Sequence, residues 1–145
     1  MPVNPRQHSF EPLIVAFCCN WCSYAGGDLA GADRLSYPAG VRIIRVPCCS
    51  RVSPNLILRA FQRGADGVVV AGCHPGDCHY DGGNYLARRR LTLLHRFLEF
   101  LGMEASRFTV CWISASEGER FAAVMTEITQ KIWSLGPNRK LRDTR

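Results

Sequence analysis

The chain has 145 residues, of which 47% are hydrophobic and 21% charged, enough for one domain with a core and too few for two of ordinary size. No apolar run approaches the ~20 residues of a membrane span and Met1 to Pro12 is too polar for a secretion signal, so a soluble, cytoplasmic protein is expected, with no membrane contact. The formal net charge of +6 includes runs at Arg88, Arg89 and Arg90 and at Arg139, Lys140, Arg142 and Arg145, which suit an acidic protein partner or a nucleic acid but read first as a solvated surface and a disordered basic end.

In chain order, residues 1–11 read as an N-terminal lead, 12–137 as an α/β domain and 138–145 as a basic, disordered tail. Four short apolar runs alternate with four stretches of helical character, the pattern of a parallel sheet covered on both faces. The first run is Leu13 to Phe17. The segment after it carries Gly26, Gly27 and Gly31, each costing roughly 1 kcal/mol in a helix interior relative to alanine. It reads either as a helix whose glycines admit close backbone approach or as an irregular loop with one helical turn.

The second run, Val41 to Val46, is interrupted by Arg42 and Arg45, which suits an edge strand. A helix follows, with Ser53 as N-cap, Pro54 at its first position, Leu56, Ile57, Ala60 and Phe61 on one face and Gly64 at the stop. The third run, Gly67 to Ala71, is uninterrupted and therefore central. The next helix spans about Asn84 to Leu101, with Leu91, Leu94, Phe97, Leu98 and Leu101 at helical spacing and Gly102 after them. The fourth run is Phe108 to Ile113. The last helix should open on a capping box of Ser116 and Glu119, bury Phe121, Val124, Met125, Ile128 and Ile132, and end at Gly136 and Pro137. Right-handed crossovers then give a single three-layer domain with a four-stranded parallel sheet in the order 2-1-3-4, a flavodoxin-like arrangement.

Eight cysteines are many for such a chain. In a reducing compartment a dense set points to metal binding or redox catalysis ahead of structural disulfides. Cys18, Cys19 and Cys22 follow the first strand, Cys48 and Cys49 the second, and Cys73 and Cys78 the third. Those ends lie along one edge of a parallel sheet, at the switch point where such sheets bind ligands. Cys19 and Cys22 form a two-spacer pair and Cys73 and Cys78 a four-spacer pair, and sulfur from a third strand favours a cysteine-ligated centre over a redox disulfide, which needs only two sulfurs. Cys111, inside the fourth strand, reads as a small buried hydrophobe.

Spacing alone does not separate zinc from iron–sulfur. Two other functions therefore remain: a thiol–disulfide oxidoreductase working through Cys19 and Cys22, and a zinc-stabilised binding module. Aromatic and basic residues do not interleave along one strand, which argues against nucleic acid as a partner. His74 and His79 adjoin cysteines directly, unlike the one-residue spacing of a Rieske centre, and read as hydrogen-bond donors beside the site or as loop residues. Trp21, Tyr24 and Tyr80 would shield a centre or pack into the core, and Pro75-Gly76-Asp77 is turn chemistry. His8 and His95 read as surface residues. No GxGxxG loop, Walker motif or Ser/His/Asp order is present.

Taken together, Cys19-Asn20-Trp21-Cys22-Ser23-Tyr24, the VRIIRV strand followed by Cys48, the run GVVVAGCHPGDCHY from Gly67 to Tyr80, Gly83-Asn84-Tyr85 and the run WISASEGE from Trp112 resemble the delta subunit of methyl-viologen-reducing hydrogenase. The resemblance covers roughly Pro12 to Pro137. It implies a [2Fe-2S] cluster in a small electron-transfer subunit that relays electrons from a hydrogenase or formate dehydrogenase to the flavin-containing subunit of a heterodisulfide reductase-type complex, with no substrate site of its own. It also implies ligands drawn from Cys19, Cys22, Cys48, Cys73 and Cys78, four of the five serving. Where the family reads Cys-Ser-Gly after the second strand this chain reads Cys48-Cys49-Ser50, so Cys49, and likewise Cys18 beside Cys19, stand as substitutes.

Overall fold

The four apolar runs form one parallel sheet, made of β1 (Ile14–Cys19), β2 (Val41–Val46), β3 (Gly67–Gly72) and β4 (Phe108–Trp112), in a computed structural model that describes residues 10–143. The strand order is β2-β1-β3-β4, as the chain pattern predicts. Ile14 pairs with Val41 on one side and Gly67 on the other, and Val68 pairs with Phe108. The uninterrupted β3 is buried along its whole length, whereas Arg42 and Arg45 of the edge strand β2 face solvent.

Side chains alternate across the sheet and meet helices on both faces. On one face α2 (Pro54–Gln62) and α3 (Gly83–Phe100) bury Ile57, Phe61, Leu91, Leu94 and Leu98 against Phe17, Val68 and Val70. On the other, α1 (Ser23–Ala32) and α4 (Gly118–Leu135) bury Ala30, Phe121, Met125, Ile128 and Ile132 against Ile14, Ala16 and Val69.

The glycine-rich segment is helical. A Cβ on Gly26 would stand 2.9 Å from the Ser114 carbonyl oxygen, so glycine there lets α1 settle against the end of β4. Helix α2 is capped as expected, the Ser53 hydroxyl accepting from the Leu56 N–H at 3.3 Å. Leu56, Phe97 and Leu101, expected on buried faces, are instead more than a third exposed, because they sit beside the apolar stripe of their helices and not on it. The expected capping box does not form. Helix α4 begins at Gly118, and Ser116 hydrogen-bonds the Ser114 hydroxyl at 3.1 Å.

At the N-terminal edge of the sheet a buried Asp66 holds both ends of the domain. Its Oδ2 accepts from the Leu13 N–H at 2.9 Å and its Oδ1 from the Asn138 N–H at 3.0 Å. Beside it the fully buried Arg107 guanidinium donates to the Asp66 carbonyl, the Gly136 carbonyl and the Glu104 carboxylate, which satisfies its charge. The expected disordered tail is, over residues 138–143, laid against the body: Asn138 is buried, Leu141 packs on the α2 side, and the Asp143 N–H donates to the Gln62 carbonyl at 3.0 Å. Residues 1–9, including His8, and 144–145 lie outside the described residues.

Candidate metal centre

The cysteines gather at the opposite, C-terminal edge of the sheet. Strand β1 runs two residues further than the apolar pattern shows, so Cys18 and Cys19 are its last two residues and point to opposite faces. Cys18 enters the core layer under α1 and α4, in the same buried cluster as Ile14, Ala16 and Cys111. Cys19 turns to the other face, where it forms a small buried cluster with Cys22 and Cys73.

The sulfurs of Cys19, Cys22 and Cys73 all lie within 4.8 Å of one another, and Cys19 Sγ is 3.7 Å from Cys73 Sγ. Next to this group Cys48 Sγ lies 3.9 Å from Cys78 Sγ. A tetrahedral centre with bonds of about 2.3 Å to sulfur holds its sulfurs about 3.8 Å apart, so both pairs have the spacing one metal atom imposes. Cys49 is buried alongside, at the start of the short 3-10 turn Cys49–Arg51. All five cysteines named as ligand candidates thus come to one rim, with Cys49 beside them and Cys18 on the far side of the sheet.

Burial and their mutual contacts perturb these thiols. The Cys19 thiol is drawn down to about 6, first by the Cys22 S–H donating to its thiolate and also by the backbone N–H groups of Trp21 and Cys22. Cys22 is pushed up because its proton is held by Cys19 and because it is buried. Burial raises Cys73 to about 11 and raises Cys49 as well. Several adjacent thiolates in a buried place repel one another, and a bound metal ion is what allows all of them to ionise. On the far face burial holds Cys18 and Cys111 near 12, as suits inert core thiols.

Backbone and polar residues shape the rim. A Cβ on Gly83, the first residue of α3, would lie 3.0 Å from Cys48 Sγ and 3.3 Å from Cys78 Sγ, so only glycine lets the N-terminus of the helix approach these sulfurs. The next residue, Asn84, is buried, and its Nδ2 donates to the carbonyls of Cys73 and His74 at 3.0 Å each, fixing the loop after β3. Its Oδ1 is buried without a partner. Ser23 braces the other side, its hydroxyl donating to the Ala71 carbonyl at 2.7 Å. Composition and spacing gave these three no role; the signal for them is that they fall within the motifs Cys19 to Tyr24 and Gly83-Asn84-Tyr85 on which the family resemblance rests.

His74 turns away from the sulfurs and hydrogen-bonds the Glu117 carboxylate, whose Oε1 also accepts from the Ser114 N–H at 2.9 Å. That backbone donor first, and His74 after it, pull Glu117 down to about 2. Asp77 serves the turn after β3, its N–H donating to the His74 carbonyl at 3.0 Å, with Gly76 at φ +91°. His79 stacks on Trp21, ring centroids 3.8 Å apart, and the Trp21 indole N–H donates to the Tyr80 hydroxyl at 3.2 Å. Trp21 and Tyr80 are about half exposed and border the rim. Tyr24 packs against the core of the α1 face under the Arg45 guanidinium. His95, half-buried on α3, faces Phe108 and pairs with the Ala105 carbonyl at 3.0 Å.

Comparison with known proteins gives a consistent picture. Residues 14–136 match the family described as methyl-viologen-reducing hydrogenase, delta subunit. The chain is 55% identical over 129 residues to the iron-sulfur D subunit of the F420-non-reducing hydrogenase vhc from Methanococcus voltae, covering 89% of this chain and 90% of that one. It is also 55% identical over 131 residues to the iron-sulfur D subunit of the F420-non-reducing hydrogenase from Archaeoglobus profundus, covering 90% and 96%. A third relative is of another kind. The A subunit of the ferredoxin:CoB-CoM heterodisulfide reductase from Methanosarcina mazei is 45% identical over 126 residues, which are 87% of this chain and 16% of that longer protein.

Proposed function

Because the chain belongs to the methyl-viologen-reducing hydrogenase delta-subunit family, we propose that it is an electron-transfer subunit of an oxidoreductase complex, carrying a [2Fe-2S] cluster on its cysteine rim. The observation that carries this reading is a trio of sulfurs, Cys19, Cys22 and Cys73, within 4.8 Å of one another, and a second pair, Cys48 and Cys78, at 3.9 Å on the same edge of the sheet, with Cys19 and Cys73 at 3.7 Å. Two pairs, each at the spacing of one metal atom, suit a two-iron centre, with Cys22 as the fifth sulfur against a need for four.

When bound, such a cluster takes up and releases one electron at a time. The residues of this chain do the rest. Burial of Cys19, Cys22, Cys48 and Cys73 keeps water from most of the sulfurs, Gly83 admits the positive end of α3 beside Cys48 and Cys78, and Asn84 holds Cys73 in place. The half-exposed Trp21 and Tyr80 mark the side from which a partner comes close.

The partners follow from the relatives. Subunits named for hydrogenases suggest a hydrogenase as electron donor; the family resemblance adds a formate dehydrogenase as the alternative donor. The reductase relative, which contains a domain like this one within a single longer polypeptide, suggests that the acceptor belongs to a heterodisulfide reductase-type complex; the family resemblance makes it the flavin-containing subunit. No helix among the described residues is long and apolar enough to cross a membrane.

Anaerobic purification followed by iron and acid-labile sulfide assay is the test. About two of each per chain and a [2Fe-2S] spin-resonance signal after one-electron reduction are expected. A colourless, iron-free protein would overturn the reading, and zinc in place of iron would turn it toward a structural site. The lowered Cys19 thiol beside Cys22 also favours a second reading, dithiol exchange through that pair. In that case Cys73→Ser would leave exchange intact.

A further inference from the structure

We propose that the outer flank of α3 is the surface on which the reductase partner docks, an inference that rests on the partner assignment above and adds the place. Leu86, Leu93, Phe97 and Phe100 expose 63%, 71%, 47% and 85% of their surface. With 3.6 residues per turn they fall within about 60° of one another around the helix, and they run about 21 Å along it. Single exposed apolar side chains are ordinary, but four in one line on a helix whose other side is already packed make a patch of the kind that marks an interface.

Charge says what covers it. Arg89 and Arg96 border the stripe on its solvent side, and α3 carries only one acid, Glu99, which pairs with His95 of the same helix at 3.5 Å. An apolar line edged by guanidinium groups is complementary to a partner surface with an apolar seam and carboxylates along it. On the other border Arg90 donates to the carbonyls of Ser50 and Val52, in and just after the turn that follows Cys48, so the stripe is mechanically continuous with the cysteine rim. Its first residue, Leu86, lies three positions beyond Gly83, which touches Cys48 and Cys78. A partner lying along α3 is therefore brought to the rim itself. The reductase is the favoured occupant because a relative contains a domain like this one in the same polypeptide as the rest of that reductase chain, where the linkage keeps the two side by side.

The test uses the anaerobically prepared chain and the purified heterodisulfide reductase flavin protein of the same source, titrated calorimetrically. Leu93→Glu with Phe100→Ser is expected to weaken binding at least tenfold, and Arg89→Glu with Arg96→Glu to weaken it and flatten its salt dependence, while iron content and the spin-resonance signal stay unchanged. Unchanged dissociation constants in both double variants would overturn the proposal. So would either of two other results: binding of the native chain to phosphatidylglycerol vesicles that the variants lose while still binding the reductase, or a native homodimer that they abolish without affecting that binding. A chain without iron whose binding to the reductase still depends on the stripe would refute the cluster and uphold the surface, so the two failures are separable.

Discussion

Gly83 and Cys48 meet across the gap between α3 and the turn after β2: the position a Cβ would take on Gly83 is 3.0 Å from the Cys48 sulfur, closer than ordinary van der Waals contact. A side chain here collides with a ligand candidate on one side and with Cys78, at 3.3 Å, on the other.

Gly83→Ala should therefore displace one or both sulfurs. The expected result is a loss of at least half the bound iron, with an apoprotein destabilised by about 1–3 kcal/mol, the usual cost of overpacking a filled site. Iron assay and denaturant unfolding check the two effects separately. Full iron content would mean that neither Cys48 nor Cys78 holds metal.

Replacing Cys19 or Cys73 by serine should sharply reduce iron binding, whereas Cys18→Ala should keep it. Cys18 is buried on the opposite face, and its removal costs only packing, about 1 kcal/mol. Metal loss in Cys18→Ala with an unaltered fold would contradict the two-sided arrangement of β1.

Asn84→Ala removes both donors that hold the carbonyls of Cys73 and His74. Leaving buried carbonyls without partners costs roughly 1–3 kcal/mol each at most. The apoprotein should unfold at lower denaturant, and the spin-resonance lines of the loaded protein should broaden as the loop gains freedom. Sharp, unshifted lines together with native stability would show that the loop holds itself.

The hydrogen bonds that Glu117 accepts, from the Ser114 N–H first and from His74 after it, give a pH dependence of known sign. Glu117 is held at about 2 against an ordinary 4.5, so its folded form favours the carboxylate. The stability it contributes is whole above about 4.5 and lost as pH falls toward about 2. Comparing native apoprotein with Glu117→Gln, the difference in unfolding free energy should be largest above that range and vanish below it. A difference that does not change between pH 6 and pH 2 would sink this account.

Much of the architecture was legible because each layer of signal agreed. The charges of Arg42 and Arg45 put β2 at the edge, the unbroken Val68-Val69-Val70 put β3 in the middle, and the strand ends told where the cysteines would gather. Which sulfur faces which side was harder. Apolar character fades after Phe17, yet the strand continues, and only parity counted from Ile14 and Ala16 sends Cys18 with them and Cys19 the other way. The start of α4 misled for a different reason: Ser116 and Glu119 had the spacing of a cap, but the helix begins at Gly118, one residue later than a Ser116 cap requires, and the Ser116 hydroxyl pairs with that of Ser114. Phe97 and Leu101 illustrate a further limit, since α3 carries more apolar residues than its buried stripe holds and spacing alone placed these two on it.

The carboxylate of Asp66 fastens the incoming and the outgoing chain at a single point, on the rim facing away from the sulfurs. The unit is thereby portable. A polypeptide spliced on before Leu13 or after Asn138 would set off from the far pole, leaving the redox face clear, and this is a geometry that lets one module serve either as a separate protein or as a segment of something larger.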